Sequence, residues 1–205
     1  MQLYFSPGAC SLASHITARE AGIPFDLNKA DLKAKKTEDG SDYLAINSKG
    51  AVPALKLDNG QVLTEGVAIM QYLGDQKPES NLVPKNGSLE RYRLQEWLNY
   101  ITSEVHKSYS PLWNATADPA VKEYALANLH KKFDWLNTQL TGKKFLMGDT
   151  FTVADAYLFT VLNWSNFLSV DMTRWPAINA FSARVAARPK VQEALEAEGL
   201  TQKAA

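Results

Sequence analysis

Cysteine is nearly missing from this chain of 205 residues: Cys10 stands alone. One thiol excludes an intrachain disulfide framework and cannot supply the thiolates of a structural zinc site, so no metal is expected. An excess of charge of either sign is missing too. The 22 basic and 22 acidic side chains cancel, whereas a protein built for nucleic acid carries a basic excess to meet phosphates. Lysines at 33, 35 and 36 cluster, but Glu38, Asp39 and Asp42 follow at once. No nucleic-acid partner is therefore expected. No apolar run approaches the ~18 residues that read as a transmembrane helix, so no membrane partner is expected either. The chain opens on a strand-like run and not on the basic-then-apolar pattern of a signal peptide. The expectation is a cytoplasmic protein in a reducing compartment. Hydrophobic content of 45% and charged content of 21% suit a globular protein with a substantial core.

What is present divides into two patterns. Up to about residue 77, strand and helix signals alternate: a strand over 2–5, a helix ending near Gly22 and Pro24, an extended run over 25–30, a polar loop, and a short helical piece at 42–46. Two short apolar runs, 54–57 and 62–64, flank Asp58-Asn59-Gly60-Gln61, and Asn-Gly between such runs signals a hairpin. A helix from Glu65 to about Asp75 closes the unit. The order reads βαβαββα, an α/β domain with a mixed four-stranded sheet, its first two strands parallel across a right-handed crossover and its last two antiparallel. Residues 78–88 have linker chemistry. From Leu89 to the end at 205 the periodicity is helical, an all-α domain. Leu94, Leu98, Ile101, Val105 and Leu112 form one apolar helix face, and Pro111 is expected to kink its end. Further helices are expected over 119–140, 153–167, 175–187 and 189–198, with a fraying tail after Gly199. Thr152 and Asp155 have the spacing of a capping box.

Four features carry chemistry. Cys10 sits where the first strand breaks at Ser6-Pro7-Gly8-Ala9 and a helix begins. Unpaired amides and partial positive charge at a helix start favour a thiolate, the reactive form of sulfur. Second, Pro53 in Ala51-Val52-Pro53-Ala54 opens a strand, in a trans or a cis peptide. A cis bond would turn the Val52 backbone outward to pair with an extended peptide. Third, Thr64-Glu65-Gly66 is another strand-to-helix junction. Gly66 leaves its amide open to close approach, a helix start favours a carboxylate, and the Glu65 side chain can hold an ammonium group. A free amino-acid end carries both charges. Fourth, Asn99, Ser103 and His106 fall within ~40° of one another on a helical wheel, roughly 140° from the apolar stripe. They form either a solvated face or the wall of a site. Tyr92 and Trp113 extend the stripe. His15 reads as a surface or packing residue and His130 as solvent-facing.

Five stretches in this order and spacing are similar to the glutathione S-transferases, specifically the bacterial beta class: Ser6-Pro7-Gly8-Ala9-Cys10-Ser11, Lys49-Gly50-Ala51-Val52-Pro53-Ala54, Leu63-Thr64-Glu65-Gly66-Val67-Ala68-Ile69, Glu96-Trp97-Leu98-Asn99-Tyr100 and Phe151-Thr152-Val153-Ala154-Asp155-Ala156. The resemblance runs end to end. It implies a thioredoxin-like domain over 1–77, a helical domain over 89–205 that forms the electrophile pocket, a homodimer, and glutathione as co-substrate. It implies that Val52 pairs with the cysteinyl part of glutathione beside a cis Pro53. Glu65 and Gly66 would hold the γ-glutamyl end, and Lys35 the glycyl carboxylate. Cys10 would lie near the glutathione sulfur, able to form a mixed disulfide. Asn99, Ser103 and His106 would line the site, and Glu104 would reach toward the neighbouring subunit's ligand. Other classes carry a serine at Gly66 and activate the thiol with a Tyr or Ser near the N-terminus. Tyr4 and Ser11 are the local candidates, and the beta pattern favours Cys10.

The chemistry expected is attack of a glutathione thiolate on small hydrophobic electrophiles, with Cys10 and His106 as catalytic residues and Tyr109 and Trp113 as pocket walls. A thiol titrates near pKa ~8.5, and lowering that by about two units needs ~2.7 kcal/mol. A helix start offers up to ~2 kcal/mol, and each hydrogen bond to the ionised sulfur ~1.5–3 kcal/mol. No metal is required. Two rivals remain: a monothiol, glutathione-dependent thiol–disulfide oxidoreductase through Cys10, and a non-catalytic binding protein of the same fold.

Overall fold

The structure, a computed structural model, describes residues 1–201, so much of the expected frayed tail lies outside the described residues. Two compact units emerge. One comprises residues 1–83 together with the chain from Ala187 onward, and the other residues 84–186. The division after Val83 falls inside the stretch read as linker. The last helix, expected in the helical domain, groups with the first unit.

In the first unit, β1 (Gln2–Phe5), α1 (Ser11–Glu20) and β2 (Asp26–Asp31) form the expected strand–helix–strand unit. β1 and β2 pair in parallel, Leu3 opposite Leu27. Gly22 ends α1 at φ +64°, with the Ile23 amide reaching back to the Ala18 carbonyl at 3.0 Å, a left-handed stop that glycine adopts without a Cβ penalty. β4 (Ala54–Lys56) and β5 (Val62–Thr64) are antiparallel, and Gly60 at φ +83° turns the hairpin between them. The sheet order is β3-β2-β1-β4-β5. It has five strands and not the expected four, because the polar loop after β2 folds back as a two-residue strand, β3 (Lys36–Thr37). Its signal was invisible because two residues carry no periodicity. The piece expected to be helical near 42–46 is a single tight turn over Tyr43–Ala45. α2 (Gly66–Gln76) and α8 (Pro189–Ala197) complete the unit.

The second unit is helical. α3 (Leu89–Tyr100) runs on through a wide π-helical segment, Ile101–His106, and a tight 3-10 turn, Lys107–Tyr109, into α4 (Ser110–Trp113). The distortion therefore precedes Pro111. Asn99, Thr102, Ser103 and Ser108 each turn a side chain back onto the carbonyl four residues earlier, a pattern that bends helices. The Pro111 ring would crowd the Lys107 carbonyl in a regular helix, and the tight turn at 107–109 relieves it. Leu94, Leu98, Ile101 and Val105 are fully buried as expected, but Tyr109 follows them into the core while Leu112 is only half-buried. α5 (Pro119–Leu140), α6 (Val153–Phe167) and α7 (Pro176–Ala186) complete the unit. α6 is buried on nearly every side. The Asp155 carboxylate at its start accepts from the Thr152 amide at 2.8 Å, the Thr152 hydroxyl at 2.9 Å and the Leu146 amide at 2.8 Å.

Among the described residues no helix is long and apolar enough to cross a membrane.

Candidate functional site

In the first unit, residues far apart in sequence come into contact. The Cys10 thiol lies 3.1 Å from the Val52 carbonyl oxygen, with Cys10 at the residue that caps α1. The Val52–Pro53 bond is cis. Val52 is buried, and among the described residues no acceptor is recorded for its amide. A Cβ placed on Gly66 would stand 3.6 Å from Pro53 Cγ, so the start of α2 lies against this turn with room for a small side chain. Glu65, before it, holds φ +71°, a conformation that non-glycine residues adopt rarely and at a cost of order 1–3 kcal/mol. Its carboxylate pairs with the Lys49 ammonium, which also reaches the Thr64 hydroxyl at 3.0 Å. Lys35, likewise left-handed at φ +56°, donates to the Gly50 carbonyl at 2.8 Å. Gly50 has φ +61°, and a Cβ there would come within 3.0 Å of the Lys35 ammonium nitrogen. Cys10, Lys35, Val52, Pro53, Glu65 and Gly66 thus form one linked set.

Cys10 stands at the start of α1 as expected from the sequence, and its S–H donates to the Val52 carbonyl. The two other N-terminal candidates are occupied elsewhere. Tyr4 is buried and donates to Gln2 at 2.7 Å. The Ser11 hydroxyl staples the turn before it, accepting from the Ser6 amide at 3.2 Å and donating to the Ser6 carbonyl at 3.3 Å.

A buried network behind the turn has no signal in the sequence. Glu198, at the end of α8, accepts from the Gly8 amide at 2.9 Å and bonds His15 Nδ1 at 2.9 Å, with both side chains wholly buried. Arg19 Nε donates to His15 Nε2 at 2.7 Å, so Nδ1 carries the ring proton and donates to the carboxylate. His15 is a core residue and not a surface one. A separation of 183 residues places this contact beyond any local pattern.

In the helical unit the polar stripe is only partly a site. Asn99 and Ser103 are exposed, with side chains turned onto their own backbone at 2.9 and 3.0 Å. His106 is largely buried. Its Nδ1 lies 2.7 Å from the Tyr157 hydroxyl oxygen, and its ring meets Trp164 edge-on at 4.7 Å. Burial, with some help from Lys107, lowers its pKa to about 4, so the imidazole is neutral near pH 7. Trp113 is half-exposed and packs edge-on against Trp164 at 6.1 Å. Tyr109 corrects the expectation of a pocket wall. It is fully buried, its hydroxyl is bonded to Ser165 at 2.7 Å, and its ring lies against Trp164 at 5.5 Å. It backs the aromatic cluster without facing a ligand. Glu104 is paired with Lys132. His130, expected in solvent, is half-buried against Trp175 at 5.1 Å.

The model of the glutathione S-transferase N-terminal domain matches residues 8–76 and that of the C-terminal domain residues 97–189. Glutathione S-transferase GstA of Escherichia coli O157:H7 is 50% identical over 200 residues, spanning 98% of this chain and 100% of that protein. A sphingomonad glutathione S-transferase solved in complex with glutathione is 44% identical with a TM-score of 0.95, over 98% of this chain and 100% of that one. The bacterial beta class enzyme of Sphingomonas chungbukensis is 45% identical, also with a TM-score of 0.95 and the same coverage. Half the residues shared along the whole length, on a fold that superposes from end to end, settle its kinship: this chain belongs to the glutathione S-transferase family, in its bacterial beta class.

Proposed function

We propose that the protein conjugates the thiolate of glutathione to small hydrophobic electrophiles, a detoxifying transferase working in the cytoplasm as a homodimer. The observation that carries the reading is the contact of Cys10 with Val52 and of the cis Pro53 with Gly66, with Glu65 and Lys35 on neighbouring turns of the first unit. The Val52 amide and carbonyl are the pair an extended peptide needs. The γ-glutamyl carboxylate is read onto the open amide at Gly66, and its ammonium onto Glu65, replacing the Lys49 ammonium that pairs there now. The glycyl carboxylate is read onto Lys35. Each pairing places opposite charges together or fills an unused donor, and charge-assisted bonds of this kind are the stronger ones.

With the tripeptide so placed, its sulfur falls near Cys10. The Cys10 S–H turns from the Val52 carbonyl to the glutathione sulfur and, with the first-turn amides of α1, favours the thiolate. His106, a neutral imidazole, remains a proposed N–H donor to the thiolate. The thiolate attacks the electrophilic carbon, a carbon–sulfur bond forms, and the leaving group departs with the electron pair. Trp113 is the exposed aromatic surface offered to the electrophile. Asn99, Ser103 and Glu104 remain proposed contacts. Each must first release a bond it now makes, Asn99 and Ser103 to backbone and Glu104 to Lys132. Passage over immobilised glutathione tests the binding half. Retention with release by free glutathione, followed by turnover across an electrophile panel, is expected. Flow-through without retention would favour a scaffold that binds no glutathione.

A further inference from the structure

His106 raises a question that its burial sharpens. A neutral imidazole has one N–H and one bare nitrogen, and the bond made by one nitrogen decides which. If the bare nitrogen faced a thiolate, two lone pairs would repel. The residue that settles this must touch the ring, be rigid, and have a proton to give.

Tyr157 meets all three conditions. It lies on α6, is 5% exposed, and brings its hydroxyl to 2.7 Å from His106 Nδ1. A phenol O–H (pKa about 10) is a ready proton donor and a bare imidazole nitrogen a good acceptor. A separation of 2.7 Å is at the short end for a hydrogen bond that involves nitrogen. The ring is gripped on a second side by Trp164, edge-on at 4.7 Å. Tyr157 and Trp164 are seven residues apart on α6, two turns along one face, so one rigid element supplies both the hydrogen bond and the packing. Two residues before Tyr157, the Asp155 carboxylate ties the start of α6 to Thr152 and Leu146, which fixes the height of that face. The sequence reading assigned nothing to Tyr157, because an aromatic in an apolar helix looks like core.

We infer that Tyr157 is a positioning residue: its hydroxyl donates to His106 Nδ1, fixes the ring as the Nε2–H tautomer, and so makes Nε2 of His106 a donor and never an acceptor. The inference rests on the proposed role of His106. It adds what sets the direction of that hydrogen bond.

Nitrogen-15 NMR of histidine-labelled protein reads the tautomer directly. The chain has three histidines, and His106→Gln identifies the signal. Wild type is expected to show His106 as Nε2–H at pH 7. Tyr157→Phe keeps the ring and loses the hydroxyl. It is expected to give a mixture of tautomers, a roughly tenfold fall in kcat and a KM for glutathione changed less than about twofold, the pattern of a lost transition-state interaction. Trp164→Phe, which thins the packing and leaves the hydroxyl bond, is expected to keep the Nε2–H signal. A wild-type His106 found as Nδ1–H overturns the proposal without any variant. So does a Tyr157→Phe protein whose tautomer or kcat is unchanged. If instead His106→Gln leaves the bound glutathione thiol titrating as before, the role of the histidine itself fails, and this proposal falls with it.

Discussion

At the residue scale, one sulfur separates the two chemistries this fold can run. Cys10 is the only cysteine, so Cys10→Ala leaves no thiol in the protein. Conjugation by that variant is expected to persist at roughly a hundredth to a tenth of its rate, since the loss is a single hydrogen bond to an ionised sulfur worth ~1.5–3 kcal/mol. Glutathione-dependent disulfide exchange is expected to vanish, because attack through a mixed disulfide needs that sulfur. The reverse pattern would make the protein a monothiol oxidoreductase. His106 has a consequence for stability. Its pKa is held near 4 by burial against about 6.5 for an unfolded histidine. The unfolded chain therefore takes up the proton first as pH falls. The folded state keeps its full advantage above about pH 6.5 and loses on the order of 3 kcal/mol as pH drops toward 4. Urea unfolding at pH 7 and pH 4.5 is expected to show wild type losing roughly 2 kcal/mol more than His106→Gln; equal losses would mean the ring is not buried neutral. Residues with local signals were legible: Cys10 at a strand-to-helix turn, Gly66 at another, and the Val-Pro pair. Tyr109, named with Trp113 as a pocket wall, lies one turn after Val105 on the apolar stripe and is fully buried. Glu198 and Tyr157 were unreadable, since each acts through a partner remote in sequence.

At the scale of elements, periodicity carried most of what was legible. Helices α5 and α6 fall at the expected positions, since both begin on strong signals. Asp118 caps α5 by accepting from Ala120 at 2.8 Å, with Pro119 in the first turn, where its missing amide is no loss. β3 was too short to read, and the π-helical segment over 101–106 hides inside a good helical pattern. Back-bonding hydroxyls and an amide at 99, 102, 103 and 108 are the clue a sequence offers for it. The Asp155 carboxylate shows how much more a cap can do than a spacing implies. A lost helix cap costs ~1 kcal/mol. Asp155 is wholly buried and also holds the Leu146 amide, so Asp155→Ala strands two amides and a hydroxyl. The expected loss in denaturant is on the order of 3–5 kcal/mol. A loss of ~1 kcal/mol or less would reduce Asp155 to an ordinary cap.

At the scale of the whole molecule, each unit has a character of its own. The first is rich in backbone turns with unusual torsions, at Lys35, Gly50 and Glu65. The second is rich in aromatic rings, which set a neutral histidine beside tryptophan. Five motifs in sequence order were enough to expect both units. The grouping of α8 with the first unit was not legible, because its partners, Gly8 and His15, lie at the opposite end of the chain. The account depends on glutathione being bound and ionised by the first unit. In the Cys10→Ala protein every thiolate signal belongs to the ligand, so an ultraviolet titration of saturating glutathione reads its sulfur alone. An apparent pKa at least one unit below the solution value of about 8.5 is expected; bound glutathione that titrates at its solution value, or no saturable binding, would contradict the account.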